Sequence, residues 1–446
     1  MTTIRSLLNF KGAALFTTLL CGGATMAQAD CSLPSDWFPN SIPDPQQTAT
    51  GVFTENCVFH QWSWNAFLWS MEKDADGRLR FESFPTQEET IDAAFGQNAE
   101  GASSGSKMLA LSPRAAKSDH PIDSVAQAGT MGILVAQNNR GVYYSQHVSP
   151  QMYNQIIADN WNNAAGIAGE DPSATFDVGN IEYKAAWAIV DDGFTVPNAY
   201  VTKALIPELS IQVVDGVPTF GVGANPNYTE AQVALVGLHV VGWVNGHTEA
   251  VWASFSPIGI APVVKHGTKP DEPVSTTSTP FYTANTTLAD CNQTNAPVQS
   301  LDVTTQQFSI ATQVCQNYQS GTVKGLSPDN VKHIAEVNAS AKAQIPSDNV
   351  AGGYFEIGAV WSSSDKPGVS KLNSTFQTEL FGSNVLSNPV IETFTQTEQA
   401  QHNCFSCHNS LQFQPSDPAI KPLQPSMLNL SHFLMQIYVD TYDKTQ

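Results

Sequence analysis

The sequence predicts an α+β fold, with a β-rich main domain over residues 30–385 and a short helical C-terminal segment over residues 386–446. Aliphatic and aromatic runs bounded by Gly, Asn and Pro recur through the middle of the chain, which is typical of buried strands. Apolar residues at helical spacing mark fewer stretches, including the last one before the C-terminus. With 446 residues, of which 41% are hydrophobic and 13% charged, the chain is long enough to bury a large core.

The elements of the main domain are predicted in chain order. The first is an aromatic helix, ENCVFHQWSWNAFLWSMEKDADG, which ends at an Asp/Gly turn. A strand, GVYYSQHVS, and a helix, PQMYNQIIADNWNNAAG, precede three buried strands, NIEYKAAWAIV, AQVALVGLHVVGWV and EAVWASFSP. Residues 269–300 are predicted to form a long polar loop. A helix, SPDNVKHIAEVNASAKAQI, and a strand, GGYFEIGAVW, complete the domain.

Two helices are predicted in the C-terminal segment. The stretch NPVIETFTQTEQAQHN favours a helix that leads into a loop. The stretch MLNLSHFLMQIYVDTY is an amphipathic helix that begins after Pro425, with Ser426 as its N-cap.

An export signal is predicted at the N-terminus. Two basic residues precede the apolar run GAALFTTLLCGGATMA, and Ala27 and Ala29 form a cleavage site of the small-x-small type. Residues 1–29 are therefore interpreted as a secretory signal peptide. A lipid-anchored alternative at Cys21 has the bulky Leu20 where a small residue is expected. No later run reaches the roughly 18 to 20 apolar residues that a transmembrane helix needs.

The charge of the chain limits its partners. There are 40 acidic and 20 basic residues, a net charge of −20. Removal of the predicted signal peptide takes away two basic residues and no acidic ones, so the mature charge becomes 18 − 40 = −22. A surface of this sign repels phosphate backbones and anionic lipid, which makes nucleic acid a poor partner. A partner protein is expected to be basic.

Four cysteines form two pairs of short separation. Cys31 and Cys57, and Cys291 and Cys315, are expected to be disulfide-bonded in an oxidising compartment, although the other two pairings of four cysteines stay open.

The stretch HNCFSCHNS contains Cys404, Cys407 and His408, which is the spacing of a covalent haem c site. The two thiols add to the porphyrin vinyl groups as thioethers, and the adjacent imidazole binds the iron. Covalent attachment requires a maturation-competent oxidising compartment, so the protein is predicted to be periplasmic. The alternatives are a third disulfide or dithiol pair, and half of a zinc site, for which a second Cys/His pair at ligand spacing is missing.

The second axial position of the iron has several candidates. Met427 lies on the apolar face of the last predicted helix and is the first choice as a metal ligand beside His408. His432 lies nearly opposite and is interpreted as a rim histidine. His239, in a predicted strand, is either a hydrogen-bonded core residue or a group at the far side of the haem. An open position is the remaining alternative, and His402 is too close to the attachment site to serve.

Two further polar features of the main domain are predicted to have ordinary structural roles. Glu182 and Lys184 point to the same side of a predicted strand and are interpreted as a surface or interface pair rather than a proton relay. His60 lies in the aromatic helix and is expected to be a core residue.

Several of these stretches together resemble a known family. HQWSWNAFLW, IEYKAAW, LVGLHVVGW with AVWASFSP, and NPVIETFTQTEQAQHNCFSCHNS occur in an order similar to that of exported bacterial cytochrome c-like proteins with one C-terminal Cys-x-x-Cys-His. The resemblance spans residues 57–435 and implies haem binding and electron transfer without naming a substrate. Where those proteins have an acidic residue and His after the Trp-x-x-Phe element, this chain has Ser256 and Pro257.

The sequence therefore favours a single-haem electron carrier that docks a redox partner protein. The alternative is a peroxidase-like oxidoreductase with an open iron position and a small-molecule substrate. A third, non-redox hypothesis is a binding module in which haem is structural.

Overall fold

The structure is a computed structural model that describes most of the chain after the predicted signal peptide. The described residues are 31–38, 41–94, 109–110, 133–191, 193–214, 217–222, 227–294, 298–317, 329–363, 368–369, 380–383, 386–396, 404–415 and 417–443. The predictions for residues 1–29 and for His402 lie outside these ranges.

The strands of the described residues belong mainly to one large sheet. They are β1 (Leu109–Ala110), β2 (Val142–Val148), β3 (Ile181–Val190), β4 (Val201–Pro207), β5 (Leu209–Val214), β6 (Val217–Val222), β7 (Tyr228–Val244), β8 (His247–Pro257), β9 (Leu301–Asp302), β10 (Gln307–Phe308), β11 (Tyr354–Ser362) and β12 (Leu380–Gly382). The long strand β7 is the centre of the sheet. It pairs with β3 along one edge, and with β4 and then β8 along the other, all antiparallel.

Around this centre the sheet continues through β2 beyond β3, through β1 beside β4, and through β11 and β12 beyond β8. Two small hairpins, β5 with β6 and β9 with β10, lie outside it. The helices are α1 (Pro45–Thr48), α2 (Asn56–Ser70), α3 (Gln87–Ala94), α4 (Pro150–Ala158), α5 (Ala164–Gly169), α6 (Asn330–Gln344), α7 (Cys404–Cys407) and α8 (His432–Thr441). An antiparallel sheet with separate helices is an α+β arrangement, so the predicted fold class is confirmed at this level.

The first face of the sheet packs on the aromatic helix α2. Ten of its fifteen residues are buried, among them Trp62, Trp64 and Phe67, because the helix is apolar on most sides. Phe67 stacks on Phe255 of β8 with ring centroids 4.1 Å apart. His60 is fully buried, with Nδ1 2.8 Å from a Glu356 carboxylate oxygen, so its prediction as a core residue is confirmed.

The second face of the sheet is covered by two apolar clusters. One contains aromatic residues of β7 and β8 together with α4, α5 and the C-terminal residues 420–438. The other contains alanines of β3 and the segment 390–394. Both faces of β3 and β7 are therefore buried, which explains their nearly continuous hydrophobic sequences.

Two helix predictions for the C-terminal segment need correction. The described part of the first, residues 388–396, forms consecutive turns instead of a helix. The second is divided in two, because Met427–Leu430 is a 3₁₀ helix and α8 starts only at His432. Ser426 caps the first piece, as predicted, and Ser431 caps the second by accepting a hydrogen bond from the Leu434 N–H.

The long polar excursion is a loop, as predicted, with only a short 3₁₀ turn at Leu288–Asp290. Its end is joined to the core by the disulfide Cys291–Cys315, and Cys31–Cys57 joins the start of the domain to α2. The Cα atoms of these pairs are 5.6 and 5.5 Å apart, so the predicted pairing is confirmed. None of the described helices has the length and apolarity needed to cross a bilayer.

The Cys31–Cys57 disulfide provides the first prediction. Replacement of both cysteines by Ser opens a loop with a sequence separation of 26 and should lower the free energy of unfolding by about 3 kcal/mol. Urea unfolding followed by tryptophan fluorescence measures the change. A lowered midpoint in the double variant supports the assignment, whereas an unchanged midpoint contradicts it.

Candidate functional site

The haem-type motif lies on a short helix at the second face of the sheet. Helix α7 begins at Cys404 and ends at Cys407, and the His408 N–H donates to the Cys404 carbonyl over 2.8 Å. Cys404 and Cys407 are therefore about one helical turn apart, and His408 follows directly at the end of that turn. Cys404 is half-buried and packs on the apolar cluster that includes α8, and the side chain of Cys407 lies outside the description.

The imidazole of His408 has three contacts that fix its orientation. Its Nδ1–H donates to the Leu430 carbonyl over 2.9 Å. The indole of Trp252, in β8, lies 4.4 Å away between ring centroids, and the ring of His432 stacks on it at 3.7 Å with an interplanar angle of 26°. With Nδ1 held by a carbonyl, Nε2 is the nitrogen left to bind a metal.

The surroundings of His408 favour its neutral form. Burial lowers the pKa of the imidazole well below its ordinary value of 6.5, and the nearby positive charges of His432, Lys184 and His239 act in the same direction. The hydrogen bond to Leu430 opposes this shift only in part. A neutral imidazole is the form that coordinates metals.

Trp252 connects this motif to the sheet. Its indole N–H donates to the Glu249 carbonyl over 2.8 Å, which fixes the ring plane on the second face of β8. The ring packs against Phe405 of α7 edge-to-face, with centroids 5.7 Å apart, and is only 6% exposed. Strand β8 therefore contributes the surface against which α7 and His408 pack.

Beside Trp252, a row of polar residues crosses the sheet from strand to strand. Each is the registered partner of the next: Gln146 of β2, Lys184 of β3, His239 of β7 and Ser254 of β8. The flanking rows on this face are mostly apolar, since Trp252 pairs with Val241 and Val360. A polar row between two apolar clusters needs polar partners from the layer that covers it.

The segment 388–396 provides part of that cover. The Asn388 side-chain amide donates to Ser254 Oγ over 3.1 Å and to the Phe255 carbonyl over 3.0 Å. Glu392 Oε1 lies 2.5 Å from His239 Nε2, a close contact that is an ion pair when His239 is protonated. A Cβ atom on Gly237 would lie 2.7 Å from Val390, so the segment packs too closely for any other residue at that position.

Glu182 lies two residues before Lys184 on β3, so its side chain is on the same face of the sheet. It is 8% exposed, so the surface alternative for the pair Glu182 and Lys184 is wrong for Glu182, whereas the interface alternative agrees with its place beneath the C-terminal segment. Ser431 Oγ donates to Glu182 Oε2 over 2.9 Å. Burial raises the pKa of the Glu182 carboxyl to about 7, while the Ser431 hydrogen bond and the charge of Lys184 lower it in part.

The predicted ligand candidates occupy different places. His408 and His432 are in ring contact, and His432 is exposed, as its place opposite the apolar face predicted. Met427 is buried in the apolar cluster that also contains Trp252 and Phe405, and its N–H donates to the Pro172 carbonyl over 2.9 Å. His239 is held beside Glu392. Met427 as a ligand stays a prediction.

Several residues of this site were not predicted from the sequence. Trp252, Leu430, Ser431 and Glu392 were seen only as parts of hydrophobic runs or of a motif. Ser431 could have been predicted as an N-cap, because a capping serine accepts a hydrogen bond from the N–H three residues later, here that of Leu434. The partners of the others are far away in sequence.

Among the described side chains, no group of three or more His, Cys, Asp and Glu residues forms a metal-binding cluster. Comparisons of the chain with protein-family models, with curated proteins and with solved structures gave no match.

The buried carboxyl of Glu182 leads to a second prediction. Its pKa is raised from 4.5 to about 7 on folding, so between these values the folded state binds more protons and stability falls as pH rises. Glu182→Gln cannot titrate, and should therefore raise the free energy of unfolding at pH 8 by about 2 to 4 kcal/mol, with no gain below about pH 4.

Urea unfolding from pH 4 to 8 measures this difference. Glu230→Gln is the matched control, because Glu230 is an exposed glutamate on β7, and its stability profile should follow the wild type. A Glu182→Gln profile parallel to the wild type at all pH values contradicts the assignment.

Proposed function

We propose that this chain is a periplasmic single-haem c-type cytochrome that binds haem covalently through Cys404 and Cys407 and transfers electrons. His408 is the proposed axial ligand of the iron. The observation that carries the proposal is the hydrogen bond from His408 Nδ1 to the Leu430 carbonyl. Metal-binding histidines commonly donate their second ring N–H in this way, because the bond fixes the tautomer and raises the basicity of the ligating nitrogen.

The residues around His408 fit a porphyrin in a second respect. Phe405, Trp252, Leu430 and Met427 belong to one apolar cluster or its immediate contacts, and each is nearly fully buried. A macrocycle attached at α7 needs an apolar surface of this kind, since exclusion of water from the iron is one of the factors that set the redox potential. Residues 386–446 are accordingly the proposed haem c-binding segment.

In this proposal the bound haem supplies a one-electron couple at its iron. The chain does the rest with its own groups. The Leu430 carbonyl holds the proton on His408 Nδ1, so that Nε2 stays unprotonated. Trp252, fixed by the Glu249 carbonyl, keeps water from one side of the imidazole. The net charge of −20 favours docking of a basic redox partner protein.

One observation favours a second candidate, a peroxidase-like oxidoreductase with an open iron position and a small-molecule substrate. His239 is held by the Glu392 carboxylate, and its charge reaches His408. A histidine oriented by a carboxylate is a suitable general acid or base near a reacting centre. The two candidates differ in whether a protein side chain fills the sixth coordination position.

Covalent attachment is the third prediction. Haem should remain with the polypeptide after denaturation, because thioether bonds survive unfolding, and Cys407→Ala should weaken or abolish this attachment. Haem staining of a denaturing gel and the mass of the intact chain measure it in protein exported with the haem maturation system. Haem that extracts freely into acidic solvent from the wild type contradicts the proposal.

The sixth ligand is the fourth prediction. If Met427 binds the iron, the oxidised protein shows the weak red band of sulfur-to-iron charge transfer, and Met427→Ala removes the band and admits cyanide. Met435→Ala is the matched control, since both methionines are buried in the same cluster, 4% and 2% exposed.

If the band remains in both variants, Met427 is not the ligand. His432→Ala, with the exposed His266→Ala as its control, then tests whether the ring that stacks on His408 is the ligand. A wild type that is already high-spin and binds cyanide readily favours the peroxidase-like alternative, in which His239→Ala lowers peroxide turnover.

A further inference from the structure

A buried carboxylate of the sheet lies beside the proposed haem segment. Glu182 is 8% exposed, and the residues paired with it across the sheet, Val148 and Val241, are apolar. Acidic residues are rarely buried in such surroundings, because the charged form loses its hydration, and ionisable groups retained there often have a function.

Glu182 is connected to His408 through two consecutive residues. Ser431 Oγ donates to the Glu182 carboxylate, and the preceding carbonyl, that of Leu430, accepts the His408 Nδ1–H. The charge of Lys184 acts on both Glu182 and His408, so the two groups share one charged neighbour. These hydrogen bonds and the shared lysine are the features through which a charge added beside His408 would act on Glu182.

We propose that Glu182 takes up a proton when the haem site is reduced by one electron, so that electron transfer by this chain is coupled to proton transfer. This inference rests on the proposed function. The electron comes from the redox partner protein, and the proton goes from solvent to a Glu182 carboxylate oxygen. The added charges cancel, and oxidation by the next partner releases the proton again.

The direction follows from electrostatics. An added electron makes the site more negative, which favours the protonated form of a neighbouring carboxyl and raises its pKa in the reduced state. Burial already brings the pKa of Glu182 to about 7, so this change falls in the neutral range. Between the two pKa values the midpoint potential should fall as pH rises, with a limiting slope of about 59 mV per tenfold change in proton concentration for one electron.

Other charged or titratable groups lie on the elements around Glu182. They are His408, His432 and Asp440 of the C-terminal segment, Lys184 of β3, His239 of β7 with Glu392, and His147 of β2, together with Glu88, Glu89 and Asp92 of α3, which packs on α8. His239 already has a carboxylate partner, and His147 belongs to the other face, with Nδ1 3.2 Å from the Phe84 carbonyl. His432 is exposed and is the main competitor.

The experiment measures midpoint potential against pH, from pH 5 to 9, in the wild type and three variants. Glu182→Gln keeps an oxygen that can accept the Ser431 hydrogen bond but removes the titration. Ser431→Ala removes the hydrogen bond and keeps the carboxyl, and His432→Gln removes the competing imidazole. A purely structural Glu182 changes the stability of these proteins but not the slope.

We expect the wild type and His432→Gln to show a potential that falls as pH rises above about 7, where Glu182 titrates in the oxidised state, and Glu182→Gln to lose that slope. Ser431→Ala should shift the sloping region to higher pH, since the hydrogen bond lowers the pKa of Glu182. A slope that persists in Glu182→Gln, or vanishes in His432→Gln, overturns the inference and assigns the proton to another group. Covalent haem with no slope in the wild type also overturns it.

A second measurement needs no variant. The reduced-minus-oxidised infrared difference spectrum of the wild type at pH 7 should gain a carboxylic acid C=O band that shifts in D₂O, and absence of this band contradicts proton uptake by a carboxyl. If the protein has no covalent haem, the proposed function itself fails, which is a different result from failure of this inference. Haem staining of the same sample detects that case first.

Discussion

The burial of both faces of the central sheet is the constraint on which the rest of the structure depends. Strands β3 and β7 have almost no exposed side chains along their paired length, so each face needs a covering layer. Helix α2 covers the first face. The second face is covered by elements that include the C-terminal segment, which carries the haem-type motif. The packing that completes the core therefore also fixes the position of the motif. A large movement of the segment would expose Trp252 and its neighbours.

Within that layer, the peptide between Leu430 and Ser431 joins the motif to the main domain. Its carbonyl holds His408, and the side chain that follows caps α8 and reaches Glu182 on the sheet. The break between the 3₁₀ helix and α8 is thus the structural basis of the site. A continuous helix would use the Leu430 carbonyl for its own ladder and would leave the Nδ1–H of His408 without this acceptor.

Local patterns were sufficient to predict five of the eight strands of the sheet (β2, β3, β7, β8 and β11), helix α2 and the two disulfides, because periodicity, turn residues and cysteine spacing act over short distances. They did not predict the break at Ser431, whose hydroxyl partner Glu182 is 249 residues away in sequence. Nor did they predict the turns of residues 388–396, which depend on Ser254 and His239 in other strands. The motif itself was visible in the sequence, whereas its surroundings depend on long-range packing.

The size of the main domain has a physical reason if the chain carries electrons. A protein with a net charge of −20 resists the addition of another electron in a partly buried site, since charges there are weakly screened. Lys184 of β3 brings positive charge toward His408, and the neighbouring Glu182, whose pKa is about 7, lies between its charged and neutral forms at neutral pH. The C-terminal segment alone has too few residues to hold such groups at fixed positions. An eight-stranded sheet does so at the cost of burying polar side chains, a cost that Asn388, Glu392 and Ser431 offset by hydrogen bonding or charge pairing.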